Sequence, residues 1–314
     1  MKNFPSFQGA CLSAGKHLFG IASIVLLTFC FSNPTRAQQN IYVSDYNHLD
    51  VDSGDVEYFP LGGGSPTVFV QAVRSPTGLI FGADNTPYIS SSKPDANKTK
   101  INMFLNMVLG DFYNDDQNDL GQPHGLAFDA AGNLYVATAN GGVGNRGKTI
   151  LKFTPPFMPP NLPSVFLSDS RFRAPINIIF DSQGNAYVSD PNAVTMTGVT
   201  GTVFKFSASG GQSLAIPFAG AYGMAFDRSG FLYVSSQTLN IVERFAANGT
   251  DKGPFVDNSD GRLSSPLGIV FDTNGNLYVA NRELNTIERY NKRGHNRTTI
   301  GTTIKTDPHF LVIH

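Results

Sequence analysis

Two histidines occupy equivalent positions in a repeated sequence phrase and are the residues best suited to chemistry. His124 stands just before one apolar run, and His309 stands just before the run at the C-terminus. Neutral imidazole binds Zn²⁺ and titrates near neutral pH, so such a pair could hold a metal ion or transfer a proton. The sequence requires no cofactor, and the one that this pair suggests is a divalent metal ion, Zn²⁺ or Ca²⁺. The equivalent positions of the other copies carry Thr77, Ile176, Tyr222 and Leu267.

A complete metal site would need more ligands than the two histidines provide. The third equivalent position is Tyr222, and two His with one Tyr make a poor structural zinc site. A calcium site would need carboxylates close to an amide such as Asn177. The glutamates after residue 37 fall instead on predicted third strands or in a loop: Glu57, Glu243, Glu283 and Glu288. The alternative interpretation is that His124 and His309 line a watery channel and bond to backbone or solvent.

Other charged and polar residues recur at fixed positions, which favours a structural role for them. Four aspartates hold the same place in a repeated turn and are too far apart for one site, so we interpret them as turn residues: Asp129, Asp181, Asp227 and Asp272. The tyrosines after each turn are interpreted as packing residues: Tyr135, Tyr187, Tyr233 and Tyr278. Four arginines precede apolar runs and could ring a ligand site with positive charge, although a solvated surface position is favoured: Arg74, Arg171, Arg173 and Arg262.

The repeated phrase predicts the elements that position these residues. Residues 125–136 read Gly-Leu-Ala-Phe-Asp-Ala-Ala-Gly-Asn-Leu-Tyr-Val, and copies recur every 45 to 52 residues. The apolar run predicts a buried strand, Asp-x-x-Gly-Asn predicts a turn, and Leu-Tyr-Val predicts a second strand. A third strand follows, as at Thr286–Tyr290, and a fourth is expected at segments such as Thr67–Val70. Four strands per copy are typical of one propeller blade.

The two ends of the chain predict the number of blades. Residues 39–44 match the second half of the phrase, and residues 308–314 match the first half. With five internal copies, these halves predict a sixth, shared blade that closes the ring and leaves no exposed sheet edge. We therefore expect an all-β, six-bladed β-propeller over residues 38–314. An open solenoid or β-helix would not need complementary ends.

The first 37 residues predict a secretory signal peptide. Lys2 and Lys16 precede an apolar stretch over residues 18–31, and Ala37 offers a small residue for cleavage. The stretch is shorter than the roughly 20 residues that span a membrane. We therefore expect a secreted or periplasmic protein with no stable membrane insertion after cleavage; an uncleaved anchor is the minority alternative.

The composition of the mature chain excludes several classes of function. Both cysteines, Cys11 and Cys30, lie in the predicted signal peptide, so no disulfide or thiolate metal site remains. Cleavage would also remove Lys2, Lys16 and Arg36 but no acidic residue, which changes the formal net charge from −1 to −4. A mildly acidic, exported protein is a poor partner for nucleic acid, so we expect none.

Residues 123–137 and the parallel copy at 266–280 resemble NHL-repeat propellers, and the resemblance covers residues 39–314. It implies a six-bladed fold but no single function, since NHL propellers bind protein or RNA and related propellers include lyases and gluconolactonases. The Pro-His-Gly at 123–125 also resembles peptide-amidating lyase propellers, a family that holds zinc with three channel histidines.

These observations together predict a monomeric binding module for a protein, a peptide or a small ligand, rather than an enzyme. Two Gly-rich loops at residues 139–148 and 191–201 would form the rim of its site, since long loops on a rigid fold carry ligand contacts. The predicted contacts at the mouth of the channel are Thr77, His124, Asn177, Tyr222 and His309. The alternative function is a metal-assisted lyase or hydrolase centred on His124 and His309.

Overall fold

The computed structural model describes residues 39–46, 54–71, 73–95, 98–106, 108–114, 120–139, 148–159, 161–301 and 307–314. Residues Gln38–His314 form one compact unit. Its strands, in chain order, are β1 (Asn40–Asp45), β2 (Asp55–Pro60), β3 (Thr67–Val70), β4 (Pro76–Phe81), β5 (Pro87–Asp95), β6 (Lys98–Leu105), β7 (Val108–Asn114), β8 (Pro123–Phe128), β9 (Leu134–Thr138), β10 (Thr149–Phe153), β11 (Ser164–Ser168), β12 (Asn177–Phe180), β13 (Ala186–Val194), β14 (Thr200–Phe206), β15 (Gln212–Pro217), β16 (Ala221–Phe226), β17 (Leu232–Ser236), β18 (Ile241–Phe245), β19 (Asp251–Val256), β20 (Pro266–Phe271), β21 (Leu277–Asn281), β22 (Thr286–Tyr290), β23 (Thr298–Gly301) and β24 (Pro308–Ile313).

The strands form six four-stranded antiparallel sheets, which are the blades of a six-bladed β-propeller. Blade 1 has the order β24-β1-β2-β3, and blades 2 to 6 take β4 to β23 in consecutive groups of four. The inner strands β24, β4, β8, β12, β16 and β20 contact one another in that order and close the ring. The predicted fold class and blade number are confirmed.

Blade 1 joins the two ends of the described chain. The Asn40 N–H donates to the His314 carbonyl at 2.9 Å, and the His314 N–H donates to the Asn40 carbonyl at 3.1 Å. Ile41 pairs with Ile313 in the same antiparallel ladder. The predicted closure by two terminal half-repeats is therefore confirmed, while the predicted signal peptide lies outside the described residues.

The Asp-x-x-Gly-Asn segment forms the turn between the first and second strands. Asp129 Oδ1 accepts the backbone N–H of Ala131 and of Asn133, each at 2.9 Å. Its Oδ2 accepts the Asn133 side-chain amide at 2.7 Å and the Tyr135 hydroxyl at 2.9 Å. Gly132 has φ of +79°, which a residue with a side chain rarely adopts. The structural role predicted for the aspartates is therefore confirmed at this turn, and similar turns form at Asp181, Asp227 and Asp272.

The tyrosine of each phrase packs between neighbouring blades. Tyr135 of blade 3 contacts Phe180 of blade 4 edge to face, with ring centroids 4.8 Å apart. Tyr187 meets Phe226 in the same way at 5.0 Å. Such pairs contribute about 0.5–1.5 kcal/mol beyond the area that they bury. The packing role predicted for these tyrosines is confirmed, and it explains why the phrase repeats in every blade.

The connections of the strands define two faces of the ring. Turns between first and second strands lie on the turn face, and connections between second and third strands lie on the opposite, mouth face. Arg282–Leu284, on the mouth face, form one turn of 3₁₀ helix, and no described segment is an α-helix. Among the described residues, no helix has the length and apolar character needed to cross a membrane.

Candidate functional site

The channel residues are placed by a β-bulge near the start of the inner strands. In blade 3, Pro123 pairs with Thr138 of β9 and Leu126 pairs with Val136. Two residues of β8, His124 and Gly125, therefore oppose the single residue between those partners. A bulge of this kind bends the strand and re-aims a side chain. The same irregularity interrupts β4, β16, β20 and the pairing of β24. In these five blades the channel residue is the second residue of the inner strand, not the residue before it as the sequence predicted.

Glycine follows the channel residue in four blades because the inner strands of adjacent blades nearly touch there. A Cβ atom at Gly78 would lie 2.0 Å from the His124 carbonyl oxygen, and one at Gly223 would lie 2.2 Å from the Leu267 carbonyl oxygen. Non-bonded carbon atoms prefer about 3.5–4.0 Å, so a side chain would push the blades apart. The four glycines are Gly78, Gly125, Gly223 and Gly268.

Serines of the second strands hold the inner strand of the next blade. The hydroxyl of Ser90 donates to the His124 carbonyl at 2.5 Å, and that of Ser189 donates to the Tyr222 carbonyl at 2.5 Å. Equivalent bonds join Ser44 to Thr77 and Ser235 to Leu267. Sequence reasoning missed these serines, although Tyr-x-Ser recurs after the turn in the same four copies.

The six channel positions divide the ring into a polar half and an apolar half. Blades 1 to 3 contribute His309, Thr77 and His124. Blades 4 to 6 contribute Ile176, Tyr222 and Leu267, which share one hydrophobic cluster with Phe310, Ala139 and Ala174. All of these channel residues except His124 are at most 8% exposed. The channel therefore has one packed apolar side, and His124 is its most accessible lining residue.

His309 joins the two halves through a buried aromatic contact. Its Nδ1 lies 3.4 Å from the Tyr222 hydroxyl, and its ring stacks on Tyr46 with centroids 4.9 Å apart. Burial raises the pKa of Tyr222, so its hydroxyl stays protonated at neutral pH and can donate to a neutral imidazole. The structure thus brings together two of the five predicted contact residues. The watery surroundings expected for His309 are replaced by aromatic side chains.

An ion pair lies beside this contact. Arg282 Nε lies 3.0 Å from Asp307 Oδ1, and the Asp307 side chain is 7% exposed. Asp307 has φ of +46°, a conformation that costs about 1–3 kcal/mol in a non-glycine residue and persists only where its surroundings fix it. Here Asn285 Oδ1 accepts the Asp307 N–H at 2.9 Å, and the Asp307 carbonyl accepts the Tyr46 N–H at 3.1 Å. We define the mouth cluster as Tyr46, Tyr222, Arg282, Asp307 and His309.

Three members of the mouth cluster were not predicted from the sequence: Tyr46, Arg282 and Asp307. Tyr46 and Arg282 occupy the same place in two copies, four residues after the repeated tyrosine of the second strand. The other copies carry Ser92, Ala139, Pro191 and Gln237 there. This variability was an available signal, because side chains that differ between equivalent positions are not required by the repeated fold.

His124 differs from His309 because nothing in the described chain bonds its buried nitrogen. The residue is partly exposed, but its Nδ1 is buried and has no hydrogen-bond partner among the described residues. Desolvation by the surrounding protein lowers the pKa of His124 to about 4, so the ring is neutral at neutral pH. A base with such a low pKa has little driving force to remove a proton near pH 7. The ring is better suited to accept a hydrogen bond from a ligand.

The described residues do not complete a metal site around the two histidines. Among them, no group of three His, Cys, Asp or Glu side chains lies close enough to hold an ion. Thr77, whose blade separates those of His124 and His309, directs its hydroxyl to the Pro123 carbonyl at 2.8 Å. Zinc normally takes at least three protein ligands. The metal role of His124 and His309 stays a prediction that the described residues do not fit.

Thr77 and Asn177 belong to the contact between blades rather than to the mouth cluster. Thr77 is fully buried, and its hydroxyl also meets that of Ser90 at 3.1 Å. Asn177 lies against blade 3, where a Cβ atom at Gly125 would meet its Oδ1 at 2.7 Å. The register of the repeat placed both residues near the axis, but each of them packs against a neighbouring blade instead.

Two of the four arginines expected near the mouth are held within blade 4. Arg171 forms an ion pair with Asp169 and donates to Gln212 at 2.5 Å. Arg173 Nη1 donates to the Ser170 carbonyl at 2.7 Å. These guanidinium groups are engaged by local surface partners, which agrees with the favoured interpretation of a surface role.

The two predicted rim loops have different outcomes. Residues 140–147 lie outside the described residues. Residues 191–201 belong mostly to a long hairpin, because β13 continues to Val194 and β14 begins at Thr200. Only a short turn joins these strands, in which Gly198 has φ of +81°. The predicted Gly-rich loop is therefore a β-hairpin on the mouth face, with a register shift between Asp190 and Val194.

Exposed apolar side chains mark this face over three consecutive blades. On the hairpin of blade 4, Val194 is 62% exposed and Met196 is fully exposed. Leu239 on blade 5 and Leu284 on blade 6 are each 48% exposed. All four lie in or beside the connections between second and third strands. We call these four residues the apolar rim.

Solved structures share the architecture of this chain. A chain of a nidogen/laminin complex matches it with a TM-score of 0.68 and 16% identity, over 88% of this chain and 98% of that chain. Periplasmic gluconolactonase from Pseudomonas aeruginosa matches with a TM-score of 0.60 and 13% identity, over 88% and 98%. Virginiamycin B lyase from Staphylococcus aureus matches with a TM-score of 0.55 and 15% identity, over 75% and 73%.

These likenesses establish the fold and no more, since identity is 16% or lower in each. The structural neighbours of this propeller include a chain from a protein complex as well as enzymes. No protein-family model matches the sequence, and no curated protein matches it. Membership of the NHL-repeat family therefore stays a prediction.

Proposed function

We propose that this protein is an exported, monomeric NHL-type propeller whose mouth face binds a protein or peptide partner. The observation that carries the proposal is the apolar rim, which places exposed apolar side chains on three consecutive blades beside the mouth cluster. Exposed apolar side chains that are scattered singly need no explanation, but apolar groups gathered around a polar centre favour an interaction surface.

The hairpin of blade 4 has the chemistry of an interface core. Residues 191–202 contain no charged side chain, and Met196 at its tip is fully exposed. Charged residues are depleted at the centre of protein interfaces, where Met is enriched. Methionine also adapts its shape to different apolar surfaces because its side chain is unbranched and flexible. A peptide lying on this face could therefore bury Met196 without leaving a charge unpaired.

The mouth cluster would supply the polar contacts that orient such a partner. Tyr and Arg are enriched among the residues that dominate binding energy at interfaces. The Arg282 side chain retains 34% exposure while its Nε binds Asp307, and Tyr46 is also partly exposed. Since its partner fixes the guanidinium, Arg282 could donate its remaining N–H groups to a partner carbonyl or carboxylate at a small entropic cost.

A metal-assisted lyase or hydrolase is the second candidate, and the buried, unpartnered Nδ1 of His124 favours it. Two observations weigh against it. The lowered pKa of His124, about 4, makes the ring a weak base. The described residues also offer no third ligand to accompany His124 and His309.

Two further properties belong to the proposal. Export follows from the predicted signal peptide with cleavage after Ala37, and the resulting charge of −4 disfavours a nucleic-acid partner. The nidogen/laminin chain is a precedent for a propeller of this fold within a protein complex, although its low identity carries no partner over to this chain.

Selection of peptides on the full-length protein tests the proposal. A phage-displayed library of random peptides is selected on the immobilised protein, and the enriched peptides are titrated against a rim variant, Met196→Ser, Leu239→Ser and Leu284→Ser. We expect affinity to fall at least about tenfold, because burial of a large apolar side chain contributes ~1.5–3 kcal/mol.

The matched control makes the same three substitutions on exposed side chains outside the rim: Met158→Ser, Leu162→Ser and Leu105→Ser. Peptides that bind the wild type and the rim variant equally, or an absence of enriched peptides, would reject the mouth face. The enzyme alternative is tested separately by elemental analysis after incubation with Zn²⁺. Stoichiometric zinc that is lost in the His124→Ala, His309→Ala variant would favour that alternative.

A further inference from the structure

A groove on the turn face lies between blades 5 and 6, away from the mouth cluster. Its cavity of about 440 Å³ is lined by Phe226, Tyr233 and Phe271, with Arg228 and Lys292 among its polar residues. An adjoining cavity of about 380 Å³ also contains Lys292 and adds Arg293. Pockets of about 300–1,000 Å³ are the size that small organic ligands occupy.

Three cations in this groove have no ion-pair partner in the described part of the chain: Arg228, Lys292 and Arg293. Two carboxylates also lie in the groove, but the repeated turn occupies them. Asp272 accepts the side-chain amide of Asn276 at 2.7 Å and two backbone N–H groups at 2.8 Å. Asp227 accepts the Ser229 N–H at 2.8 Å and the Tyr233 hydroxyl at 3.1 Å. Among the described residues, the groove therefore offers three cations without an ion-pair partner, and both of its carboxylates accept hydrogen bonds from the turns.

The equivalent groove between blades 4 and 5 shows that the fold does not need Lys292 and Arg293. It has the same aromatic and aspartate framework, built from Phe180, Asp181 and Tyr187. By register, Ser182 stands where the groove between blades 5 and 6 has Arg228, and Ala247 stands where it has Lys292. The next position, Arg293 in one groove, is Asn248 in the other. Arg228 lines both grooves, whereas Lys292 and Arg293 line only the groove between blades 5 and 6 among the described cavities.

The arrangement of the groove determines which ligand fits it. Phe226 and Phe271 are partly exposed and present an apolar floor, against which the C–H face of a sugar ring can pack. The Asn274 side-chain amide and the Ser229 hydroxyl stand beside the floor and can bond to sugar hydroxyls. A guanidinium and an ammonium group at the same opening suit a carboxylate or phosphate.

We propose that the groove between blades 5 and 6 binds an acidic sugar, either a sugar carboxylate or a sugar phosphate. The anionic group lies between Arg228 and Lys292, and the ring packs on Phe226 and Phe271. This site lies on the face opposite the proposed partner surface, so a negative result for one proposal does not affect the other.

Calorimetric titration of the full-length protein at low ionic strength tests the site with four probes: glucuronate, glucose 6-phosphate, glucose and inorganic phosphate. We expect saturable binding of both acidic sugars, each at least about tenfold tighter than glucose and than inorganic phosphate, because charge and ring contacts act together. The Arg228→Ser, Lys292→Ala variant, which introduces the residue types found at the register-equivalent positions Ser182 and Ala247, should bind the acidic sugars at least about tenfold more weakly.

The control is Lys252→Ala, Arg262→Ala, which removes the same charge from exposed positions outside the groove. Equal binding by the groove variant and the wild type would overturn the proposal. An equal loss in both variants would overturn it too, since only overall charge would then matter. Binding of inorganic phosphate as tight as that of the acidic sugars would reject the sugar and leave a simple anion contact.

Discussion

Replacement of Gly223 by Ala tests whether the inner strands of blades 5 and 6 approach each other as closely as the structure shows. The new Cβ atom would lie 2.2 Å from the Leu267 carbonyl oxygen and 3.0 Å from the Ser235 hydroxyl. The inner strands of blades 5 and 6 must therefore separate by about 1 Å to restore ordinary contact. That movement would also stretch the bond from the Gly223 N–H to Ser235 Oγ, now 2.8 Å, and the bond from Ser235 to Leu267, now 2.5 Å.

The expected cost combines overpacking with weakened hydrogen bonds. Overpacking of a close-packed interior costs about 1–3 kcal/mol, and each weakened hydrogen bond adds about 1 kcal/mol. We therefore expect Gly223→Ala to lower the free energy of unfolding by about 3–5 kcal/mol. For a domain of this size, 1 kcal/mol corresponds to roughly 2–4 °C, so the melting temperature should fall by at least about 5 °C.

Thermal unfolding followed by circular dichroism measures this change, and Gly62→Ala is the matched control. Gly62 is an exposed glycine, and a Cβ atom there would meet nothing within 4 Å. We expect the control to melt within about 2 °C of the wild type, since exposed substitutions change stability by less than about 0.5 kcal/mol. Equal melting temperatures for Gly223→Ala and the control would refute the reasoning about blade contact.

Three further predictions concern buried polar groups. Burial and the nearby Asp251 raise the pKa of Glu243 to about 7, so the folded state holds a proton that the unfolded chain releases near pH 4.5. The free energy of unfolding should therefore fall as pH rises from 4.5 to about 7. Urea unfolding of Glu243→Gln should show a flatter pH profile than the wild type. Desolvation lowers the pKa of His124 to about 4, so the folded state stays neutral at pH values where the unfolded chain takes up a proton. The free energy of unfolding should therefore fall as pH drops from about 6.5 to 4. An imidazolium signal from His124 in ¹⁵N spectra at about pH 5.5 would contradict this. Ser235→Ala leaves the Leu267 carbonyl without its hydroxyl donor and should cost about 1–3 kcal/mol in urea unfolding; an unchanged midpoint would contradict the bracing role of the serine.

The fold could be predicted from the sequence because its determinants are local and repeated. The turn at Asp129 closes through contacts to residues two, four and six positions ahead, all within one copy of the phrase. The blade number followed from the two half-copies at the ends, where Ile41 pairs with Ile313. In each case the physical cause is visible in a short segment of chain.

The candidate site could be predicted only in part because its contacts join distant segments. The register placed Tyr222 and His309 on the channel, but their contact depends on a tyrosine that reaches past the blade between them. Tyr46 meets His309 only because the ring closes, which brings the two ends of the chain together. Thr77 and Asn177 were assigned to the mouth from register alone, but each packs against a neighbouring blade, a contact between distant segments that the register does not contain.

The position of a selected peptide on the propeller tests the proposed binding face most directly. Amide hydrogen exchange of the full-length protein is measured with and without a peptide obtained by selection. The account predicts slower exchange on the mouth face, at residues 194–200, 237–241 and 282–285, and unchanged exchange in the turns at residues 228–230 and 273–276. Protection of those turns without protection of the mouth face would contradict it.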